Sequence, residues 1–205
     1  MFGSGRLNPS LAAGVIWIAL ALATAAPAAD ESAGVRVSVN LPQRLGTLEF
    51  DERSEFGDPA LGVAVSYRGH GQTLSIYFYD FGLEGIPDGI DNEVVRRHFE
   101  TAKGDIARTP AYAQISLQHE EAVRFGGAAD GWPALEAAFR IVRQEGQSTR
   151  SYLMLTGAHG LFVKIRFTIA EGNELEATAN RNAILEGMDR ILPGISRARV
   201  GGEGA

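Results

Sequence analysis

Four histidines, a dense run of carboxylates and a few tyrosines and cations are the side chains of this 205-residue chain best equipped for chemistry. The histidines are His70, His98, His119 and His159. None has a second His, or a Cys, at the short spacing by which a zinc or copper site is read from sequence, and the chain has no Cys at all. The expectation is therefore no metal ligand, with convergence in space the one remaining route to a site. Asp80, Glu84, Asp88, Asp91 and Glu93 fall within fourteen residues. Calcium takes several carboxylates plus carbonyls from a glycine-rich loop. Their order does not follow the Asp-x-Asp-x-Asp-Gly pattern, and Asp88 and Asp91 fit better at the N-terminal end of a helix.

Ser66, Ser75 and Ser151 lie in alternating, strand-like runs. No Gly-x-Ser-x-Gly elbow and no Ser-x-x-Lys surrounds them, and a thiol mechanism is excluded without Cys. Gly69-His70-Gly71 begins like a dinucleotide loop, but Leu74 stands where the third glycine belongs and a strand follows instead of a helix. No catalytic residue and no cofactor follows from these patterns. A surface remains: Tyr77, Tyr79, Tyr152, Lys164 and Arg166. On one sheet face they would form an aromatic and basic patch able to bind a partner or an anionic ligand. The competing expectation is that helices cover the tyrosines while both cations are merely solvated.

The elements that must position these side chains are legible from periodicity. Val35, Val37 and Val39 alternate with polar residues as a half-buried strand. Residues 42–61 are rich in turn formers and charge and read as a loop, with a short strand over Thr47 to Phe50. Val63, Val65 and Tyr67, then Leu74, Ile76 and Phe78, flank a polar glycine-containing tip, which marks a hairpin. Tyr77 and Tyr79 on the second face of that strand point to a central strand covered on both sides. A loop at 80–89 leads to a helix over about 90–103, with Gly104 as its C-terminal cap. Alternating runs follow at 115–125, 135–141, 152–155 and 161–169, which places His119 in a strand and His159, like His70, in a turn. The last helix spans about 174–192, with Asn173 and Glu176 as a capping-box start and Pro193-Gly194 as its stop. These elements predict an α+β single-domain sandwich: a mainly antiparallel sheet of about six or seven strands packed by two long helices. The expected domain is 29–194, with a frayed tail at 195–205.

The N-terminus bears on compartment. Arg6 is the only charge before Asp30, Leu11 to Ala23 is apolar, and Ala26-Pro27-Ala28 has the small-x-small form of a cleavage site. Residues 1–28 therefore read as a secretory signal peptide cleaved after Ala28. A retained anchor is the competing reading, but the apolar run is short of the ~20 residues a spanning helix needs. Removing 28 of 205 residues leaves 177, ample for one core. The whole chain has a net charge of −6, and losing Arg6 makes it more acidic, a poor match for nucleic acid.

The order of strands, helix, four antiparallel strands and helix resembles the PsbP/Mog1-like sandwich, a group that includes photosystem proteins, a nuclear transport factor and bacterial envelope proteins of the DcrB type. The segments Ile76-Tyr77-Phe78-Tyr79-Asp80 and Leu161-Phe162-Val163-Lys164-Ile165-Arg166-Phe167 also resemble strands of proteobacterial secreted proteins. The resemblance implies a binding or accessory role and carries over no functional residue. The expectation is thus an exported, periplasmic or secreted binding or accessory protein without catalytic activity. Its partner would be an envelope protein or a small ligand, and it would have no stable membrane insertion once the signal is cleaved. Two alternatives stand beside it. One is a hydrolase-like enzyme whose site gathers Asp80, Asp88, His70 and His159 from separate loops; the other is an envelope protein tethered by an uncleaved signal.

Overall fold

All the alternating runs but the first become strands of one large sheet. The computed structural model describes residues 34–172 and 174–200; the signal segment, Asn173 of the expected capping box and residues 201–205 lie outside these. The elements are β1 (Gly34–Ser38), β2 (Arg44–Leu45), β3 (Leu48–Glu55), β4 (Val63–Gly69), β5 (Gln72–Tyr79), α1 (Glu93–Ala107), β6 (Tyr112–Arg124), β7 (Pro133–Arg143), β8 (Ser148–Ala158), β9 (Leu161–Ala170), α2 (Glu174–Ile191) and β10 (Ser196–Val200). Eight of the strands form one antiparallel sheet in the order β2-β3-β4-β5-β9-β8-β7-β6, and β1 pairs with β10 in a separate ribbon. The α+β architecture and its antiparallel sheet are as expected; the main sheet has eight strands, not six or seven.

The differences have local causes. β3 was expected to be mostly loop because it reads Leu-Glu-Phe-Asp-Glu-Arg-Ser-Glu. It lies one strand from the edge, carries a bulge between Phe50 and Glu52, and turns charges to solvent, so polarity does not stop it pairing with β4. Helix α1 starts at Glu93, not near 90, because the Asn92 side chain caps it by accepting from the Val95 N–H at 2.9 Å. It runs through Gly104 to Ala107 because Ile106 continues the buried stripe of Val95, Phe99 and Ala102. That tertiary burial outweighs the roughly 1 kcal/mol propensity cost of an interior glycine. The expected frayed tail is strand β10 over 196–200, paired with β1 from Ser196↔Ser38 to Val200↔Gly34.

Parity then assigns two faces. Leu74, Ile76 and Phe78 of β5, with Val163, Ile165 and Phe167 of β9, face α2 and join Ile184, Met188 and Ile191 in the larger core. Leu135 and Phe139 of β7, Leu153 and Leu155 of β8 and Phe162 of β9 face the other way and pack with Val95, Phe99 and Ile106 of α1. β5 is the central strand its two aromatic faces implied, flanked by β4 and β9. Helix α1 sits over β7 and β8. At the β3–β4–β5 end the same face carries polar side chains, where Asp51 accepts from Ser66 at 3.0 Å and pairs with Arg68 at 2.7 Å. Among the described residues no helix is long and apolar enough to cross a membrane.

Candidate functional site

Strand β9 presents Phe162, Lys164 and Arg166 on the α1 side, and the β5–β9 register sets Tyr79 opposite Phe162, Tyr77 opposite Lys164 and Ser75 opposite Arg166. The Lys164 ammonium lies 4.5 Å from the Tyr77 ring centre and 5.4 Å from that of Tyr79, a cation between two aromatic faces. Helix α1 lowers His98 onto this cluster: its Nε2 is 2.6 Å from the Tyr79 hydroxyl, and its ring centre is 4.2 Å from that of Phe162. Arg166 donates from Nη2 to Ser151 Oγ at 2.7 Å, while its buried Nη1 makes no hydrogen bond.

The electrostatics follow from burial. Loss of solvent, with Lys164 nearby, pushes the His98 imidazole down to about 4. It is neutral at physiological pH, so its Nε2 and the Tyr79 hydroxyl share one proton-donor role, set by the ring tautomer. Burial also pushes the Tyr79 phenol far above its usual range. Burial and then Arg166 push the Lys164 amine down to about 8, with Asp105 opposing them. The Arg166 guanidinium is likewise held down by burial. Neither cation belongs to an ion pair among the described residues. An NMR pH titration is expected to show the His98 imidazole signals moving with a midpoint near pH 4; a midpoint above 6 would mean the ring is hydrated, not sealed against Phe162 and Tyr79.

Four of the five side chains expected to form a surface are therefore together: Tyr77, Tyr79, Lys164 and Arg166. Tyr152 is not with them. It pairs with Phe167 and Ala138 on the α2 face, where its ring stacks on Phe167 at 6.1 Å and the Arg181 guanidinium lies 5.7 Å away. Tyr79 is covered, with 4% of its surface exposed, while Tyr77, Lys164 and Arg166 are partly exposed. The cluster is thus a partly covered group beside α1, not an open five-residue patch.

The four proposed hydrolase residues do not all converge: Asp80 and Asp88 lie near the His159 turn, and His70 is at the far end of the sheet. His70 is at the tip of the β4–β5 turn with φ 51°, and its Nδ1 meets Glu176 at 2.9 Å. His159 is at the β8–β9 turn with φ 54°. Gln72 pairs with Ile169 at one end of β5 and Tyr79 with Phe162 at the other, so the two histidines are separated by most of a strand, roughly 20 Å. Asp88 accepts from the His159 backbone N–H at 2.7 Å. Asp80, buried, accepts from the Gly82 N–H at 2.8 Å and faces Arg197 at 3.8 Å. Asp91 and Glu93 pair with Arg96 and Arg97. These carboxylates hold turns and a helix start; they do not form a calcium cage.

The structure assembles another cluster on the α2 face. Glu136 of β7 stands directly opposite Glu121 of β6, and His119 lies one same-face position along. The Glu136 side chain is fully buried and takes two bonds from Arg181 of α2: Nε to Oε2 at 2.9 Å and Nη2 to Oε1 at 2.7 Å. His119 Nε2 is 3.5 Å from Glu136 Oε1 and 3.7 Å from Glu121 Oε1. The only hint in sequence is a lone Glu between small residues of its own parity, Ala134 and Ala138, in a stretch otherwise apolar from Pro133 to Phe139. Its partners are one strand and one helix away, and nothing local specifies them.

No family model matches this chain, and no curated protein does. Among solved structures it is similar to the Ran-binding protein Mog1p of Saccharomyces cerevisiae, with a TM-score of 0.35 and 8% identity over 73% of this chain and 95% of that one. A point mutant of protein Mog1 gives 0.37 and 10% over 65% and 78%. Cyanobacterial PsbP from Synechocystis gives 0.37 and 14% over 85% and 98%. These are the groups that the order of elements resembles, and the likeness is one of weak topology that bears no functional argument.

Proposed function

We propose that this chain is an exported, periplasmic binding or accessory domain that engages an anionic group of its partner or ligand at the cluster of Tyr77, Lys164 and Arg166. The observation that carries the reading is the pair of cations two residues apart on β9, both desolvated, neither in an ion pair among the described residues, and one with an unbonded guanidinium nitrogen. Burying a charge is costly unless it is paired. An apolar residue at either position would relieve that cost, so stability alone does not account for them. A carboxylate or phosphate supplied from outside would complete both. Export rests on the apolar run of Leu11 to Ala23 and on Ala26-Pro27-Ala28.

The test is an envelope pull-down with the protein tagged at its C-terminus, run in parallel with Lys164→Met. A reproducible partner captured by the parent and depleted at least tenfold by the variant is the expected result. A partner retained equally by both would remove the Lys164 cluster from the reading, and no partner at all would remove the accessory role. Mass spectrometry of the same material should find an N-terminus at Ala29.

A further inference from the structure

We propose that His119, Glu121 and Glu136 form a binding site for one divalent transition-metal ion of the zinc type, which clips the edge strand β6 to β7. The site is distinct from the Lys164 cluster and lies on the opposite face of the sheet. One imidazole nitrogen and two carboxylate oxygens make a donor set that suits zinc better than magnesium or calcium. Their ligand atoms all lie within 4.8 Å of one another. The His119 Nε2 separations of 3.5 and 3.7 Å are too long for good hydrogen bonds. They are close to the ~3.3 Å between two donors on a tetrahedral ion with bonds of 2.0–2.2 Å. Rotation of the half-exposed His119 and Glu121 side chains would close the coordination.

Charge points the same way. Like charges directly opposite on a ladder repel, and Glu121 faces Glu136 across β6–β7. Arg181 offsets one of the two. Its hydrogen bonds go to Glu136, and its Nη2 is 3.7 Å from Glu121 Oε1, beyond bonding range. One negative charge is left facing His119. Arg181 does not block an ion, because each carboxylate oxygen has a second lone pair. It fixes the orientation of Glu136, as hydrogen bonds to ligating carboxylates do in metal sites. His119 and Glu121 are about half exposed, so an ion can enter from solvent and keep water in its remaining position.

The probe is zinc chloride added to chelator-treated protein, read by calorimetry and by thermal unfolding, with magnesium and calcium as contrasts. One equivalent of zinc should bind, and at a hundredfold excess over Kd the Tm should rise by roughly 5–10 °C. His119→Ala and Glu121→Gln should each weaken binding at least tenfold, while His70→Ala should leave it unchanged. Both test positions are half exposed, and the metal-free Tm of each variant shows whether it has folded. No zinc binding, or binding undiminished by His119→Ala, would overturn the proposal, the second outcome marking an ion held adventitiously elsewhere.

Discussion

Arg181→Met should destabilise the protein by about 3–5 kcal/mol, because it leaves a buried carboxylate without its cation. Glu136 has no exposed side-chain surface, and Arg181 serves both of its oxygens. His119 at 3.5 Å is a poor substitute for those bonds. For a chain of this size the loss corresponds to a fall in Tm of roughly 10 °C or more. The pair as a whole has a different value from either half. Replacing both partners, as in Glu136→Met with Arg181→Met, removes the charge and its counter-charge together. The double variant should come within about 1 kcal/mol of the parent or exceed it. Urea unfolding of the parent, the single variant and the double variant measures both effects. A single variant costing less than about 1 kcal/mol would show that solvent reaches Glu136, and a double variant no better than the single would show that packing is what Arg181 provides.

That pair also shows where sequence stops being informative. The period of two in Leu161 to Ile169 makes β9 readable, and with it the fact that Lys164 and Arg166 share a face. The glycine-flanked tips at His70 and His159 make the two hairpins readable, and both residues adopt the positive φ of tight turns. These are properties of neighbours in the chain. Which parity meets which helix is not. Tyr152 and Leu153 are both apolar enough to face a core, so the local pattern leaves Tyr152 free to lie with Tyr77. Only the pairing of Tyr152 with Phe167 and of Leu153 with Arg166 separates them. The same holds for β10: Ser196–Val200 has little of its own to mark it as a strand, and its partner lies at the other end of the chain. β3 was hidden for the opposite reason, since its charges report the solvent beside a sheet edge and not the absence of a sheet. The Lys164 group was therefore partly legible, as four residues of five, while the His119, Glu121 and Glu136 cluster depended on the register of β6 against β7 and on Arg181 from a distant helix.

Lys164→Met should stabilise the protein at neutral pH and remove a pH dependence on the alkaline side. In the folded protein the Lys164 amine is pushed down to about 8, against 10.5 in an open chain. Below pH 8 both states carry the proton, and the folded state bears the full penalty of a buried charge. Between about 8 and 10.5 the unfolded chain holds a proton that the folded protein has released, so stability rises with pH across that window. Two and a half pH units correspond to about 3 kcal/mol. The cation–π contacts with Tyr77 and Tyr79 return about 1 kcal/mol of this to the lysine, so the methionine variant should gain about 2 kcal/mol at pH 7. Tyrosines titrate near the top of the window, which makes the difference between parent and variant the quantity to follow by urea unfolding at pH 7, 8.5 and 10. A variant advantage that shrinks as pH rises is the expected pattern. A constant difference, or a variant less stable at pH 7, would mean that Lys164 is solvated and that no charge awaits a partner there. The measurement thus bears on function without a ligand in hand: a gain in stability together with loss of the captured partner would show that this lysine is kept for binding, at a cost to the fold.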